Sequence, residues 1–102
     1  MNFFQNLFST SKNVDLKSMI TQGAFLVDVR EPSEYKLGSV KGAVNIPLGS
    51  LASKIASFKG KENVIVFCRS GNRSTMAKQI LEKNGIANVV NGGTVNNVKQ
   101  YA

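Results

Sequence analysis

The chain has no histidine and no tryptophan, one cysteine, two prolines and six acidic residues in 102. Each shortage excludes something. Without histidine there is no His-assisted nucleophile, no Cys–His dyad and no imidazole metal site. A single cysteine excludes an internal disulfide and a cysteine-rich metal cluster. No run approaches the roughly 18 apolar residues of a membrane-spanning helix. The segment Met1-Asn2-Phe3-Phe4-Gln5-Asn6-Leu7-Phe8 has neither a basic leader nor a long apolar stretch. It does not read as a secretory signal. The resulting expectation is a cytoplasmic protein with no metal, no cofactor and no membrane span.

Apolar residues make up 42% of the chain, enough for one small domain with its own core. Thirteen Lys and Arg against six acids leave a net charge of +7. The lysines are scattered, and no aromatic residues interleave with them as a base-stacking surface requires. Nucleic acid is therefore not an expected partner. Steering of a small anionic substrate is.

Along the chain, strand and helix patterns alternate. Residues 1–12 form an appendage in which Phe3, Phe4, Leu7 and Phe8 share one side of a helix, and the domain proper spans 13–102. Asn13-Val14 is a short edge strand. Asp15 caps a helix that buries Leu16, Met19 and Ile20 and stops at Gly23. Ala24–Val29 is an apolar strand interrupted by Asp28, which needs an arginine or backbone N–H partner if buried. Pro32 suits the first position of a helical turn. Ala43–Ile46 is a second short strand. Leu48, Leu51, Ile55 and Phe58 repeat at helical spacing up to Gly60. Val64–Phe67 is a buried strand, Ser74–Asn84 a helix burying Ala77, Ile80 and Leu81, and Ile86–Val90 another strand. Gly92-Gly93 turns the chain into a last helix with Val95 and Val98 inward. This alternation predicts an α/β domain with a mainly parallel sheet.

The chemistry concentrates in Cys68-Arg69-Ser70-Gly71-Asn72-Arg73-Ser74, between the Val64–Phe67 strand and a helix N-terminus. A lone cysteine ending an apolar strand is ordinarily a small buried hydrophobe. A strand end alone, however, requires neither two arginines nor a glycine. A loop that cradles an anion does: glycine permits positive φ, arginine supplies forked donors, and free backbone N–H groups converge there. A thiol in that field loses its proton more readily, and the thiolate is the nucleophile.

Two stretches resemble the rhodanese family of sulfurtransferases. One is Leu26-Val27-Asp28-Val29-Arg30-Glu31-Pro32-Ser33-Glu34-Tyr35, followed by Gly38, Gly42-Ala43 and Asn45-Ile46-Pro47. The other is the Cys68–Ser74 loop, and Gly92-Gly93 fits as well. The likeness covers roughly residues 13 to 101. It implies a rhodanese-like α/β fold, a five-stranded sheet flanked by helices on both faces. It also implies that Cys68 takes a sulfane sulfur from a donor such as thiosulfate, holds it as a persulfide and passes it to a thiophilic acceptor. That acceptor is cyanide in the standard assay, or a protein thiol in a sulfur relay.

Sulfite leaves thiosulfate as a stable anion, so the reaction needs no general acid and the missing histidine is no obstacle. Under this resemblance the backbone N–H groups of Arg69, Ser70, Gly71, Asn72 and Arg73 cradle the persulfide. Arg69, pointing outward, is the candidate for binding the anionic donor. Arg73 is expected to be held by Asp28 or Glu34, and Arg30 by a nearby glutamate. The chain departs from the family pattern at Ser39, where a histidine is common, at Lys41, where a proline is, and after Gly93, where a tryptophan often follows. Cys-dependent phosphatases and arsenate reductases are similar in their cysteine, backbone cradle and arginine, but their loops are one residue longer. Non-catalytic rhodanese-like interaction modules usually lack the loop cysteine.

Overall fold

The computed structural model describes residues 16–102. The appendage expected at 1–12, the edge strand at Asn13-Val14 and the Asp15 cap lie outside the described residues. The elements run in the order α1 (residues 16–21), β1 (Phe25–Asp28), α2 (Pro32–Lys36), β2 (Val44–Asn45), a 3-10 segment (Leu48–Phe58), β3 (Val64–Cys68), α3 (Asn72–Lys83), β4 (Val89–Thr94) and α4 (Val95–Lys99). No described helix is long and apolar enough to cross a membrane.

The strands are all parallel and lie in the order β2-β1-β3-β4. Among the described residues the sheet thus has four strands, not the five that the resemblance implies. The remaining expected strand is Asn13-Val14, outside that range.

Every residue of β3 is buried, as a central parallel strand covered on both faces requires. Its side chains alternate between two cores. Val64, Val66 and Cys68 pack with Val27, Leu51, Phe58, Ala77 and Leu81, on the side of α3 and the 3-10 segment. Ile65 and Phe67 pack with Leu16, Leu26 and Val98, on the side of α1 and α4. Helices therefore cover both faces, as expected. Burying side chains such as Phe58 and Phe67, each 1% exposed or less, contributes about 1.5–3 kcal/mol apiece.

Two elements differ from their sequence pattern. The Leu48–Phe58 repeat forms a 3-10 segment with a kink at Lys54. Leu48 and Leu51 are three apart, as are Ile55 and Phe58, and side chains three apart eclipse in a 3-10 helix. The one spacing of four, Leu51 to Ile55, spans the kink. The last strand is Val89–Thr94 rather than Ile86–Val90. Ile86 is instead drawn into the α3 core by its N–H bond to the Leu81 carbonyl at 3.0 Å. The strand continues through Gly92 because nothing larger fits there. A Cβ on Gly92 would lie 2.6 Å from Val98 Cγ2 and 2.9 Å from Ile65 Cγ2. The β3–β4 register shifts beside it, between Val66 and Phe67.

Asp28, Asn45, Cys68 and Thr94 end their respective strands on the same edge of the sheet, the edge at which parallel α/β sheets bind ligands.

Candidate active site

Cys68 is the last residue of β3 and is fully buried. The chain then turns through Arg69 and Ser70 into α3. Gly71 makes the turn with φ +99°, a conformation that side-chain-bearing residues rarely adopt. This lets the helix begin at Asn72, two residues before the Ser74 start that periodicity suggests.

The early start aims the first turn at the sulfur. The Gly71 N–H lies 3.0 Å and the Ser74 N–H 3.4 Å from Cys68 Sγ. No side chain caps α3, and the sulfur takes that place, meeting N–H groups that a helix end leaves unpaired. The Ser74 hydroxyl, itself buried, stands 3.5 Å from Sγ and donates to the Gly71 carbonyl at 3.0 Å.

Burial pushes the Cys68 thiol up. The Ser74 hydroxyl, then the N–H groups of Ser74, Gly71 and Ser70, outweigh it, and the thiol lies below its ordinary range. Hydrogen bonds to the charged form favour the thiolate. Ser74→Ala removes the hydroxyl beside the sulfur. Alkylation of Cys68 by iodoacetamide should then shift to higher pH, and the rate at pH 7 should fall several-fold. An unchanged profile would exclude the hydroxyl from stabilising the thiolate.

Arg73, in the first turn of α3, donates to both Glu34 oxygens, at 2.7 and 3.0 Å. Of the two carboxylates expected for Arg73, Glu34 is the one that holds it. The Arg73 guanidinium, with the Glu31 N–H, lowers the Glu34 carboxyl from 4.5 to about 2. The Glu31 N–H bond also closes a capping box on α2. A carboxyl held low stabilises the fold above its unfolded value and loses that contribution as pH falls to the folded one. The pair is partly exposed, so its worth is about 1 kcal/mol. Urea unfolding should show the wild type above Glu34→Gln by that amount at pH 6. The gap should close between pH 4.5 and about 2. A gap that persists at the acid end would assign the difference to something other than Glu34 ionisation.

Asp28 is fully buried and does meet an arginine, but the arginine is Arg30. The Arg30 guanidinium donates to Asp28 at 2.7, 2.9 and 3.1 Å, and the Arg30 backbone N–H adds a bond at 3.0 Å. This corrects the expected Arg30–glutamate pair. Residues two apart on an extended chain share a side, so Arg30 folds back on Asp28, while Glu34 is occupied by Arg73. The Asp28 hydrogen bond holds the Arg30 guanidinium above its ordinary value.

Ser39 donates to Asp28 Oδ2 at 2.7 Å and so belongs to this network. The Asn45 amide braces the same corner, donating to the Asp28 and Arg30 carbonyls at 2.9 Å each. Ser39, Asn45 and Ser74 were the residues without a role in the sequence reading. For Ser74 the available signal was a small polar residue in the first turn after the cysteine. For the other two, contacts across 11 and 17 residues carried none.

Arg69 is exposed and, with Arg30, Glu34, Leu37, Val95 and Lys99, lines a groove along this edge of the sheet. Ser70 and Asn72 are exposed on the loop. The arrangement thus has a buried sulfur whose thiol lies below its ordinary range, two N–H groups aimed at it, and an exposed arginine one residue on. It can perform nucleophilic chemistry on an anion, and the carboxylates beside it, Asp28 and Glu34, are each bound to an arginine.

Comparison with known proteins agrees with this chemistry. The family of rhodanese-like domains matches residues 12–96. The thiosulfate sulfurtransferase PspE of Escherichia coli is 38% identical over 74 residues, covering 71% of this chain and 71% of PspE. Human single-domain sulfurtransferase TSTD1 superimposes with a TM-score of 0.68 at 30% identity, over 76% of this chain and 81% of that one. A rhodanese with anions from E. coli gives 0.67 at 36% identity, over 74% and 91%. The chain belongs to the rhodanese-like domain family, and the enzymes it resembles there are sulfurtransferases.

Proposed function

We propose that this sulfurtransferase accepts sulfur from thiosulfate on Cys68 as a persulfide and passes it to a thiophilic acceptor. The observation that carries the reading is the convergence of the Gly71 and Ser74 N–H groups on Cys68 Sγ at 3.0 and 3.4 Å.

The thiolate attacks the outer sulfur of thiosulfate. The new S–S bond forms as the sulfur–sulfite bond breaks, and sulfite leaves with the electron pair. The persulfide's charge then sits among the loop N–H groups, preorganised donors that need not move during the reaction. Arg69 supplies charge for the incoming dianion, while Arg73 and Arg30, bound to Glu34 and Asp28, hold the loop and its surroundings in shape. An acceptor nucleophile attacks the outer sulfur and regenerates the thiolate.

One geometric fact disfavours the phosphatase alternative. A phosphatase needs its loop arginine on the bound oxyanion, and here Arg73 is committed to Glu34 through two hydrogen bonds. The fully formed loop with its cysteine likewise favours an enzyme over an interaction module.

The test is intact mass after thiosulfate and desalting. A gain of roughly one sulfur, about 32 Da, that cyanide removes is expected of a persulfide on a reactive thiolate. A reduced, alkylatable Cys68 with no gain would sink thiosulfate as the donor.

A further inference from the structure

Large apolar side chains are exposed at three of the described positions: Val44 at 38%, Met76 at 52% and Leu37 at 91%. Leu37 differs from the other two in its place. It is the C-cap of α2 and stands on the wall of the groove that Arg69 lines. The core gains almost nothing from it.

The charges that line its groove and the next without an ion-pair partner among the described residues are all positive. Lys99 lines the same groove as Arg69, and it also lines an adjoining groove with Lys36 and Lys41. All four cations are exposed, and none makes an ion pair among the described residues. The nearby acids Asp28 and Glu34 are taken by Arg30 and Arg73, which leaves Glu31, at the opposite end of α2, as the other acid there. Thiosulfate and cyanide are too small to touch an exposed leucine and a spread of lysines together. A polypeptide surface is not: an apolar contact flanked by complementary charge is the ordinary anatomy of a protein interface.

We propose that the face around Leu37 docks the sulfur acceptor, and that this acceptor is an acidic polypeptide carrying a free thiol beside an apolar side chain. The proposal rests on the persulfide reading above and names the acceptor for it. The acceptor's thiolate attacks the outer sulfur of the Cys68 persulfide. The S–S bond to Cys68 breaks, Cys68 departs as thiolate with the electron pair, and the acceptor carries the sulfur away as its own persulfide. No oxidant or reductant enters. Leu37 and Lys36, Lys41 and Lys99 act only by raising the time the acceptor thiol spends at the groove.

Two synthetic peptides serve as probes. Each holds one cysteine and one leucine in the same frame, one flanked by aspartates and the other by lysines, with cyanide as the small acceptor. The persulfide-loaded protein is mixed with each, and sulfur transfer is followed by mass. The acidic peptide should react about tenfold faster than the basic one at low salt, with the preference shrinking as salt screens it. Leu37→Ser should slow the acidic peptide severalfold more than it slows cyanide turnover. Lys36→Glu with Lys41→Glu should remove the preference for the acidic peptide. Lys59→Glu with Lys83→Glu makes the same change in net charge away from these grooves and should keep it. Equal rates for the two peptides would overturn the proposal. So would an equal loss in the distant pair, which would assign the preference to the molecule's overall charge. Failure of the wild type to gain sulfur at all would overturn the persulfide reading itself, and is distinguished because cyanide turnover would vanish too.

Discussion

Cys68→Ser is expected to reduce sulfur transfer from thiosulfate to cyanide by on the order of 10⁴-fold or more, the scale of losing a covalent nucleophile. The size follows from what surrounds the residue. The N–H groups of Gly71 and Ser74 point at the sulfur, and the Ser74 hydroxyl lies 3.5 Å from it. They stabilise an anion once formed but cannot remove a proton, and the chain has no histidine to do so. A thiol brought below its ordinary range by these donors ionises unaided. A serine hydroxyl does not, and its oxygen is a poor nucleophile toward sulfane sulfur. The variant should gain no sulfur in the intact-mass measurement while the wild type does. The two side chains are close in size, so the unfolding temperature should change little and folding failure can be separated from chemical failure. Substantial turnover in the variant would show that Cys68 is not the nucleophile.

Asp28→Ala should cost about 3–5 kcal/mol of stability, the usual result of breaking a buried pair and leaving one charge unmatched. Against a total of about 5–15 kcal/mol for a domain of this kind, that is a large fraction. Arg30 is 9% exposed and would keep only the Gly38 carbonyl, at 2.8 Å, as a side-chain partner. The Ser39 hydroxyl and the Arg30 backbone N–H lose their acceptor at the same time. Arg30→Met should be comparably damaging, since it strands a fully buried carboxylate. The double variant Asp28→Leu with Arg30→Met should recover much of the loss, because both desolvation costs disappear together. Urea unfolding of the four proteins completes the cycle. Single variants within about 1 kcal/mol of wild type would mean that the pair is solvated, as for a surface ion pair.

The two predictions probe different ends of one chain of contacts. Asp28 and Arg30 fix the corner after β1, from which α2 departs. Glu34 on α2 then holds Arg73, at the start of the helix whose N–H groups meet Cys68. The same order explains which expectations were met. The β1 and β3 runs, the helix after the loop and the covering of both faces follow from apolar periodicity, which burial imposes directly. Local pattern favours Ile86–Val90, which has strand composition, over Val89–Thr94, which contains two glycines. The strand is set there by close approach to Ile65 and Val98, a contact that no local pattern expresses.

Sequence alone carried the cysteine, its loop and the α/β class. These depend on residues adjacent in the chain: one cysteine, a glycine three residues on and a helix pattern after them. The tertiary structure alone decided the pairings. Which carboxylate holds which arginine is settled by the geometry of charges that must be matched once water is removed. Asp28 takes Arg30 because they share a side of an extended segment, and Glu34 takes Arg73 across 39 residues because α2 and α3 meet at the same edge of the sheet. The role of Ser74 is likewise tertiary. A serine in a helix's first turn is common, and what sets this one apart is its burial at 3.5 Å from the sulfur.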